Sequence, residues 1–452
     1  MFLNEKFFSK SLNKLQWSFQ NNSRYIYKFL FRKIEFDKKL KCSITKGIAT
    51  ENYFSDGNMQ NLNQERSHPA SIFGRKHIGN VEIPSEIIKS VRNIITNSKS
   101  NIHSSTIKMY TLRNSQDVKN KFLDINTYFY ETMPHVYASL YSIIYELKKR
   151  FGDKWVPETV LDCGAGPGIG ALVFQELFSD SIEKVKNIVV IETMRAMKKC
   201  ALYIHRDNKS KIVSSISSAI DPKFDFIIAN HTILNTNAPN YVFSAYIKKL
   251  WTKLSPRKGI LLLLEKGNPA GYESVAKARQ AILSGFNFSL DKDIESMEIG
   301  HVISPCSHDK KCPLLIDGQL SNHKGWCHFS QNLVKPDYLR ETKRSTYNIE
   351  STKYSYCVIQ KGISRPTFQE LNDNLDKDNL FYSSYSWPRL ILPPLKKRGH
   401  VIMDACISNG TIQRLIIPKS QGRLAYRDAR KAHWGDLWAL GSKFFLKKNI
   451  NV

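Results

Sequence analysis

From residue 157 onward, short apolar runs alternate with stretches of helical periodicity. Val160-Leu161 closes on Asp162, Asn187-Ile188-Val189-Val190-Ile191 on Glu192, Phe224 to Ala229 on Asn230, and Ile260 to Leu264 on Glu265. Apolar runs without polar alternation mark strands buried on both faces, and helices between them make the sheet parallel. Upstream, Ile87, Ile88, Val91, Ile94 and Ile95 recur at the spacing of one helix face, and residues 128–130 and 137–147 continue that character. Residues 83–151 are therefore expected to form a helical layer on the sheet. Residues 326–331 and 353–360 have the alternation and length of its last two strands. Beyond an acidic, Asn-rich break at 372–379, residues 400–407 and 412–417 flank Ser408-Asn409-Gly410, a hairpin signal.

Composition changes the picture at the level of partners. The 452 residues carry 67 Lys and Arg against 40 Asp and Glu, a net charge of +27. An excess of that size points to a polyanion such as nucleic acid, against the plainer reading of a soluble basic surface. No apolar run reaches the roughly 18 residues that a membrane span needs, so none is expected. Eight cysteines in so long a chain do not make a secreted disulfide framework. Residues 1–41 are rich in Lys, aromatics and Ser, and Leu3, Phe7, Leu12, Leu15 and Phe19 can share one helix face. That pattern is presequence-like; the alternative is a basic amphipathic helix that stays on the protein.

Chemistry enters first at Asp162-Cys163-Gly164-Ala165-Gly166-Pro167-Gly168-Ile169-Gly170, between a strand and a helix. Glycines let the backbone turn tightly and let a ligand come close, while the helix start offers free N–H groups. The candidate nucleotide-cofactor residues are Asp162, Gly164, Ala165, Gly166 and Gly168, with Glu192 placed for ribose hydroxyls and Asn230 at the next strand end. The leading Asp162 and Gly164-Ala165-Gly166 resemble the first motif of class I S-adenosylmethionine methyltransferases, whereas a nicotinamide fold usually lacks the leading acid. No general base stands out in Asn230-His231-Thr232-Ile233, where amino-methylating enzymes of that fold often carry Asp/Asn-Pro-Pro-aromatic. Catalytic residues are therefore left unassigned.

The second constellation is Cys306-x5-Cys312-x14-Cys327-x29-Cys357. This is not a zinc-ribbon spacing. If the last two strands pair antiparallel, Cys327 and Cys357 come close, and the loop 303–313 can bring Cys306 and Cys312 beside them. Four thiolates suit zinc or a four-iron cluster. His308, His323 and His328 are possible substitutes, more simply read as surface or hydrogen-bonding residues. Cys42, Cys163, Cys200 and Cys406 read as ordinary core cysteines.

These segments, with Lys397-Arg398-Gly399-His400-Val401, Lys419-Ser420-Gln421-Gly422 and residues 429–438, resemble the methyltransferase-like mitochondrial small-ribosomal-subunit assembly factors. The likeness runs from about residue 134 to 438. It implies an α/β fold: a class I S-adenosylmethionine methyltransferase (Rossmann-like) sheet with an N-terminal helical layer, a cysteine-cluster insertion and a small C-terminal β-rich extension. It implies a mitochondrial matrix protein acting on the immature small subunit. Expected partners are rRNA, ribosomal proteins and other assembly factors. It implies S-adenosylmethionine at the glycine loop and a four-iron four-sulfur cluster on Cys306, Cys312, Cys327 and Cys357, with zinc as the alternative. An active rRNA methyltransferase and a permanent small-subunit ribosomal protein are the rival readings.

The expected organisation is a presequence-like segment at 1–48, a linker and helical layer at 49–155, a methyltransferase-like domain at 156–365, and a basic extension at 380–445. In that extension Lys397, Arg398, Lys419, Arg423, Arg427, Arg430 and Lys431 are the candidate phosphate contacts. Tyr426, His433 and Trp434 are candidates for stacking on bases. Trp438 reads as a core anchor.

Overall fold

A computed structural model describes residues 67–96, 125–153, 155–164, 166–206, 209–215, 223–233, 240–256, 258–285, 300–316, 319–320, 325–343, 346–366, 376–442 and 444–447. The expected presequence, Cys42, Ala165, His323 and the linker up to residue 66 lie outside the described residues. The strands are β1 (Asn80–Val81), β2 (Thr159–Cys163), β3 (Asn187–Ile191), β4 (Ser210–Val213), β5 (Phe226–Asn230), β6 (Ile260–Lys266), β7 (Gly300–Ser304), β8 (Leu315–Ile316), β9 (Gln319–Leu320), β10 (Phe329–Val334), β11 (Ile349–Lys361), β12 (Arg389–Leu390), β13 (Leu395–Lys396), β14 (His400–Cys406), β15 (Ile412–Pro418) and β16 (Phe444–Lys447). The α-helices longer than one turn are α1 (Pro69–Gly74), α2 (Ser85–Thr96), α3 (Met133–Phe151), α4 (Ile169–Leu177), α5 (Arg195–Ile204), α6 (Asn240–Lys253), α7 (Pro269–Leu283), α8 (Asp337–Lys343), α9 (Lys377–Ser383) and α10 (Arg423–Lys431).

The main sheet runs β1-β10-β11-β6-β5-β2-β3-β4. β4, β3, β2, β5 and β6 are parallel, and β11 enters antiparallel to β6 and β10. That order, with its one reversed strand, is the sheet of class I S-adenosylmethionine methyltransferases. The apolar runs of β5 and β6 are buried because helices cover both faces: α3 and α4 on one side, α6 and α7 on the other. The upstream helix periodicity is met by α2, whose Val91 and Ile95 are buried, and by α3 behind a π-helical turn Tyr128–Thr132.

Two strand expectations change. Residues 326–328 are not in β10, which starts at Phe329; Trp326 Nε1 donates instead to the Gly267 carbonyl at 2.9 Å. The supposed irregular stretch 303–313 begins inside β7, a strand too short to show in the pattern. It forms because β11 offers it a free edge.

The two edges of β11 are filled unequally. One pairs with β6 from Tyr354 to Gln360, while the other is shared by β10, up to Tyr354, and β7, from Val358 onward. Among the described residues Ser355, Tyr356 and Cys357 thus face no strand on that side, and the sheet has a gap. A second sheet, β12-β14-β15-β16 with β13 beside β14, closes over the region. Its β14–β15 hairpin turns at Gly410, whose φ of +83° suits glycine. Helix α10 completes a small core of Leu390, Val401, Met403, Leu415, Ala429 and Trp438.

Candidate functional site

The glycine loop sits at the carboxyl ends of β2, β3 and β5, where the strand order reverses and doubly wound sheets bind ligands. Gly164, Gly166 and Gly168 have φ of +64°, +57° and +82°. At Gly166 an added Cβ would stand 2.8 Å from the Tyr128 ring, so the π-helical turn lies directly over the loop. Asp162 is fully buried, and its Oδ2 accepts from the Ala171 N–H at 2.9 Å at the start of α4. Burial pushes its carboxyl up to about 7, with Glu192 adding to the rise. Glu192 Oε1 accepts from the Met194 N–H at 2.6 Å, and burial raises this carboxyl too. The Asn230 side-chain oxygen is buried without a hydrogen-bond partner among the described residues. Two acids and an unsatisfied amide at one switch point fit a polar ligand such as a ribose and amino-acid moiety.

Sequence reasoning missed three neighbours. Tyr128 looked like helix core. His205 donates from Nε2 to the Pro167 carbonyl at 3.0 Å, and burial lowers its imidazole to about 4. Glu265 anchors the loop after β5: it accepts from the Ile233 N–H at 3.0 Å and pairs with His231 Nδ1 at 3.3 Å. Its place at the end of an apolar run was the available signal.

The gap in the main sheet is the second candidate. Cys306 leaves β7 there, Cys327 arrives at β10, and Cys357 lies in the gap. These three line one cavity with Cys312 and with a fifth thiol, Cys406, from the second sheet. Cys406 had read as ordinary core; its position at the end of β14, facing another sheet, is invisible to local pattern. Cys163 and Cys200 do belong to the core clusters. Tyr272 Oη stands 3.1 Å from Cys312 Sγ, and His308 Nε2 3.2 Å from Cys406 Sγ. His328 is half-buried, with Nδ1 on the Trp326 carbonyl at 3.1 Å.

Burial raises all four of the thiols Cys306, Cys327, Cys357 and Cys406; Cys312 raises each of them further, and Cys306 raises the other three. Cys306 is partly relieved by Arg279, Arg365 and Arg389. Among the described residues, no three His, Cys, Asp or Glu side chains gather as ligands of a single ion do. The thiols line the walls of a void instead.

The third candidate is a basic face. The tip between β13 and β14 is tied to α10 and the turn before it. Arg430 Nη1 donates to the Lys397 carbonyl at 3.2 Å, Tyr426 Oη to the Arg398 carbonyl at 3.1 Å, and the Lys419 N–H to the Gly399 carbonyl at 3.1 Å. Lys397, Arg398, Lys419, Arg423 and Arg430 are exposed, and Arg427 and Lys431 half-buried. The aromatic candidates are less available. His433 stacks on His77 with centroids 4.0 Å apart, and Trp434 meets His328 edge-on at 4.9 Å. Trp438 is buried, its Nε1 donating to the Gly441 carbonyl at 2.6 Å.

The sequence pattern of a family described as Rsm22, mitochondrial small ribosomal subunit Rsm22, matches residues 122–439. The chain belongs to the Rsm22 family. Relatives include the "Rsm22-cox11 tandem protein 2, mitochondrial" of Schizosaccharomyces pombe, 34% identical over 335 residues, covering 70% of this chain and 43% of that protein. Two others are named ribosome assembly proteins, mitochondrial: RSM22 of Saccharomyces cerevisiae, 25% identical across 69% of this chain and 66% of that protein, and METTL17 of Homo sapiens, 23% identical across 67% and 59%. The Rsm22-family chain thus spans about half the length of the tandem relatives and under two thirds to two thirds of the others. Among solved structures, it is similar to a putative RNA methyltransferase from Pyrococcus horikoshii (12% identity, 52% of this chain and 88% of that one, TM-score 0.29). It is also similar to a plantazolicin methyltransferase in complex with SAH (13% identity, 62% and 96%, TM-score 0.28).

Proposed function

We propose that this Rsm22-family chain is an assembly factor of the mitochondrial small ribosomal subunit. In this reading it acts in the matrix, binds rRNA through the basic face, and takes S-adenosylmethionine at the glycine loop. The thiol cavity holds a four-iron four-sulfur cluster. The names of the relatives support the compartment and the process. The convergence of separate basic segments on one face supports the RNA. No helix among the described residues is long and apolar enough to cross a membrane.

The single observation that carries the metal reading is the cavity at the sheet gap. Zinc bonds of about 2.3 Å would set four sulfurs roughly 3.8 Å apart around a point. A four-iron cluster has a body of its own and spreads its thiolates around it, which suits thiols lining a void. Buried thiols that repel one another also call for a cationic centre to ionise against. Cys306, Cys312 and Cys327 are the first three ligands. The fourth corner has two candidates. Cys357 is raised by Cys306 and Cys312, and its side chain is packed within the β6–β11 core. Cys406 reaches the cavity wall from the second sheet; Cys306 and Cys312 raise it, and it in turn raises Cys327, which favours it.

Anaerobic purification with iron, sulfide and zinc analysis tests this. Iron and sulfide in the wild-type chain, lost in Cys327→Ser and Cys406→Ser but kept in Cys357→Ser, is the expected result. Stoichiometric zinc without sulfide sinks the cluster, and loss only in Cys357→Ser returns the fourth corner to that residue. Methyl transfer is tested with labelled S-adenosylmethionine and immature mitochondrial small subunits. Binding of particle and cofactor without transfer is expected; label in rRNA would make the chain an rRNA methyltransferase.

A further inference from the structure

We propose that helix α7 is the hydrogen-bonding face that sets the charge balance and reduction potential of the group in the thiol cavity, with Arg279 as its principal residue. The proposal rests on the cluster reading above. Tyr272, Val275, Ala276 and Arg279 all line the cavity, and their spacing places them on one helix face. Two small apolar residues between a phenol and a guanidinium leave that face low in the middle and polar at both ends. At one end Tyr272 Oη reaches Cys312 Sγ at 3.1 Å.

At the other end Arg279 is only 3% exposed. Its Nη2 donates to the His308 carbonyl at 2.7 Å, which fixes the plane of the guanidinium. Its Nε and Nη1 are buried with no hydrogen-bond partner among the described residues. The other two arginines that act on Cys306 are already paired: Arg365 with Asp309 at 3.2 Å and Arg389 with Glu146 at 2.7 Å. Among the described residues Arg279 forms no ion pair. A buried guanidinium with idle donors is unfavourable unless an anion shares its site. The neighbouring thiols are the groups whose charge it feels, Cys306 foremost, then Cys357 and Cys312. Four thiolates on a four-iron core leave a net negative centre, and N–H groups aimed at its sulfurs favour the reduced, more negative state.

Arg279 acts as a positioning residue; it ligates no iron. The test uses the full chain purified anaerobically, with iron and sulfide content, electron paramagnetic resonance of the reduced form and a redox titration. Arg279→Gln removes the charge and Arg279→Lys keeps it. The expected result is a reduction potential shifted to more negative values in Arg279→Gln, with Arg279→Lys between it and wild type. A smaller shift of the same sign is expected in Tyr272→Phe. Cluster loss in Arg279→Gln with retention in Arg279→Lys also supports the role. Equal potentials in all three chains, or equal cluster loss in both variants, overturns it, since either reports packing alone. A wild-type chain without iron and sulfide removes the cluster reading itself, and this proposal with it.

Discussion

Glu146 shows how much a single buried residue organises here. It is 5% exposed on α3, yet it pairs with Lys76 at 3.1 Å and Arg389 at 2.7 Å and accepts from the Tyr356 and Ser304 hydroxyls, each at 3.1 Å. Burial alone would raise its carboxyl; Arg389, Lys76 and Arg150 outweigh that and hold it well below the usual carboxylate range. Its stabilisation is therefore present above the unfolded value of about 4.5 and fades as pH falls below it. Glu146→Ala is expected to cost about 3–5 kcal/mol at neutral pH by urea denaturation, because two cations lose their buried partner. Asp162 has the opposite sign. Its folded value, about 7, lies above the ordinary carboxyl value of 3.8. Its contribution is complete below that lower value and is lost as pH rises through the higher one. Asp162→Asn should flatten the fall in unfolding free energy between those two pH values. Neither behaviour was legible in the sequence. Glu146 precedes Lys148 and Lys149 on α3, and partners distant in sequence make it an interior residue: Lys76, Ser304 of β7, Tyr356 of β11 and Arg389 of the second sheet.

At the scale of elements, the basic extension is an assembly of short pieces: the β13–β14 tip, the turn at Lys419 and helix α10. Charge reversal at Arg423 and Arg430, both exposed, is expected to weaken binding to rRNA fragments with little loss of fold. The slope of affinity against salt should shrink by roughly one unit per lost phosphate contact. Unchanged affinity and slope in filter binding would remove this face from the interface. The parallel strands were legible because a strand buried on both faces has no choice but continuous apolar sequence. The hairpin at Gly410 was legible because its turn needs particular residues. The strand β7 was not, since its existence depends on a free edge of β11 that local pattern does not show. The cysteines of the 306–327 stretch stood out by proximity in sequence. Cys406 and Arg279 did not, since one ends an unremarkable β14 and the other sits on a helix of mixed character.

For the whole molecule, the thiol cavity is where the two sheets meet. Its walls include Cys327 and Cys357 from the main sheet side and Arg389, Ile391, Cys406 and Ile412 from the other. If the cavity holds the proposed cluster, removing it with an iron chelator should loosen both at once. Hydrogen exchange is expected to rise in β12, β14 and the gap-facing part of β11, with the β2–β5 half unchanged. Exchange that rises uniformly, or not at all, would separate the cavity from the joining of the sheets. The same wall has a chronology. Tyr272 and Ile412, both part of it, are 140 positions apart. A chain emerging from its N-terminal end can complete the glycine loop and the strands around it long before residue 412 appears. Any group held in the cavity can be enclosed only after both walls have been delivered, so its enclosure would date the joining of the two sheets.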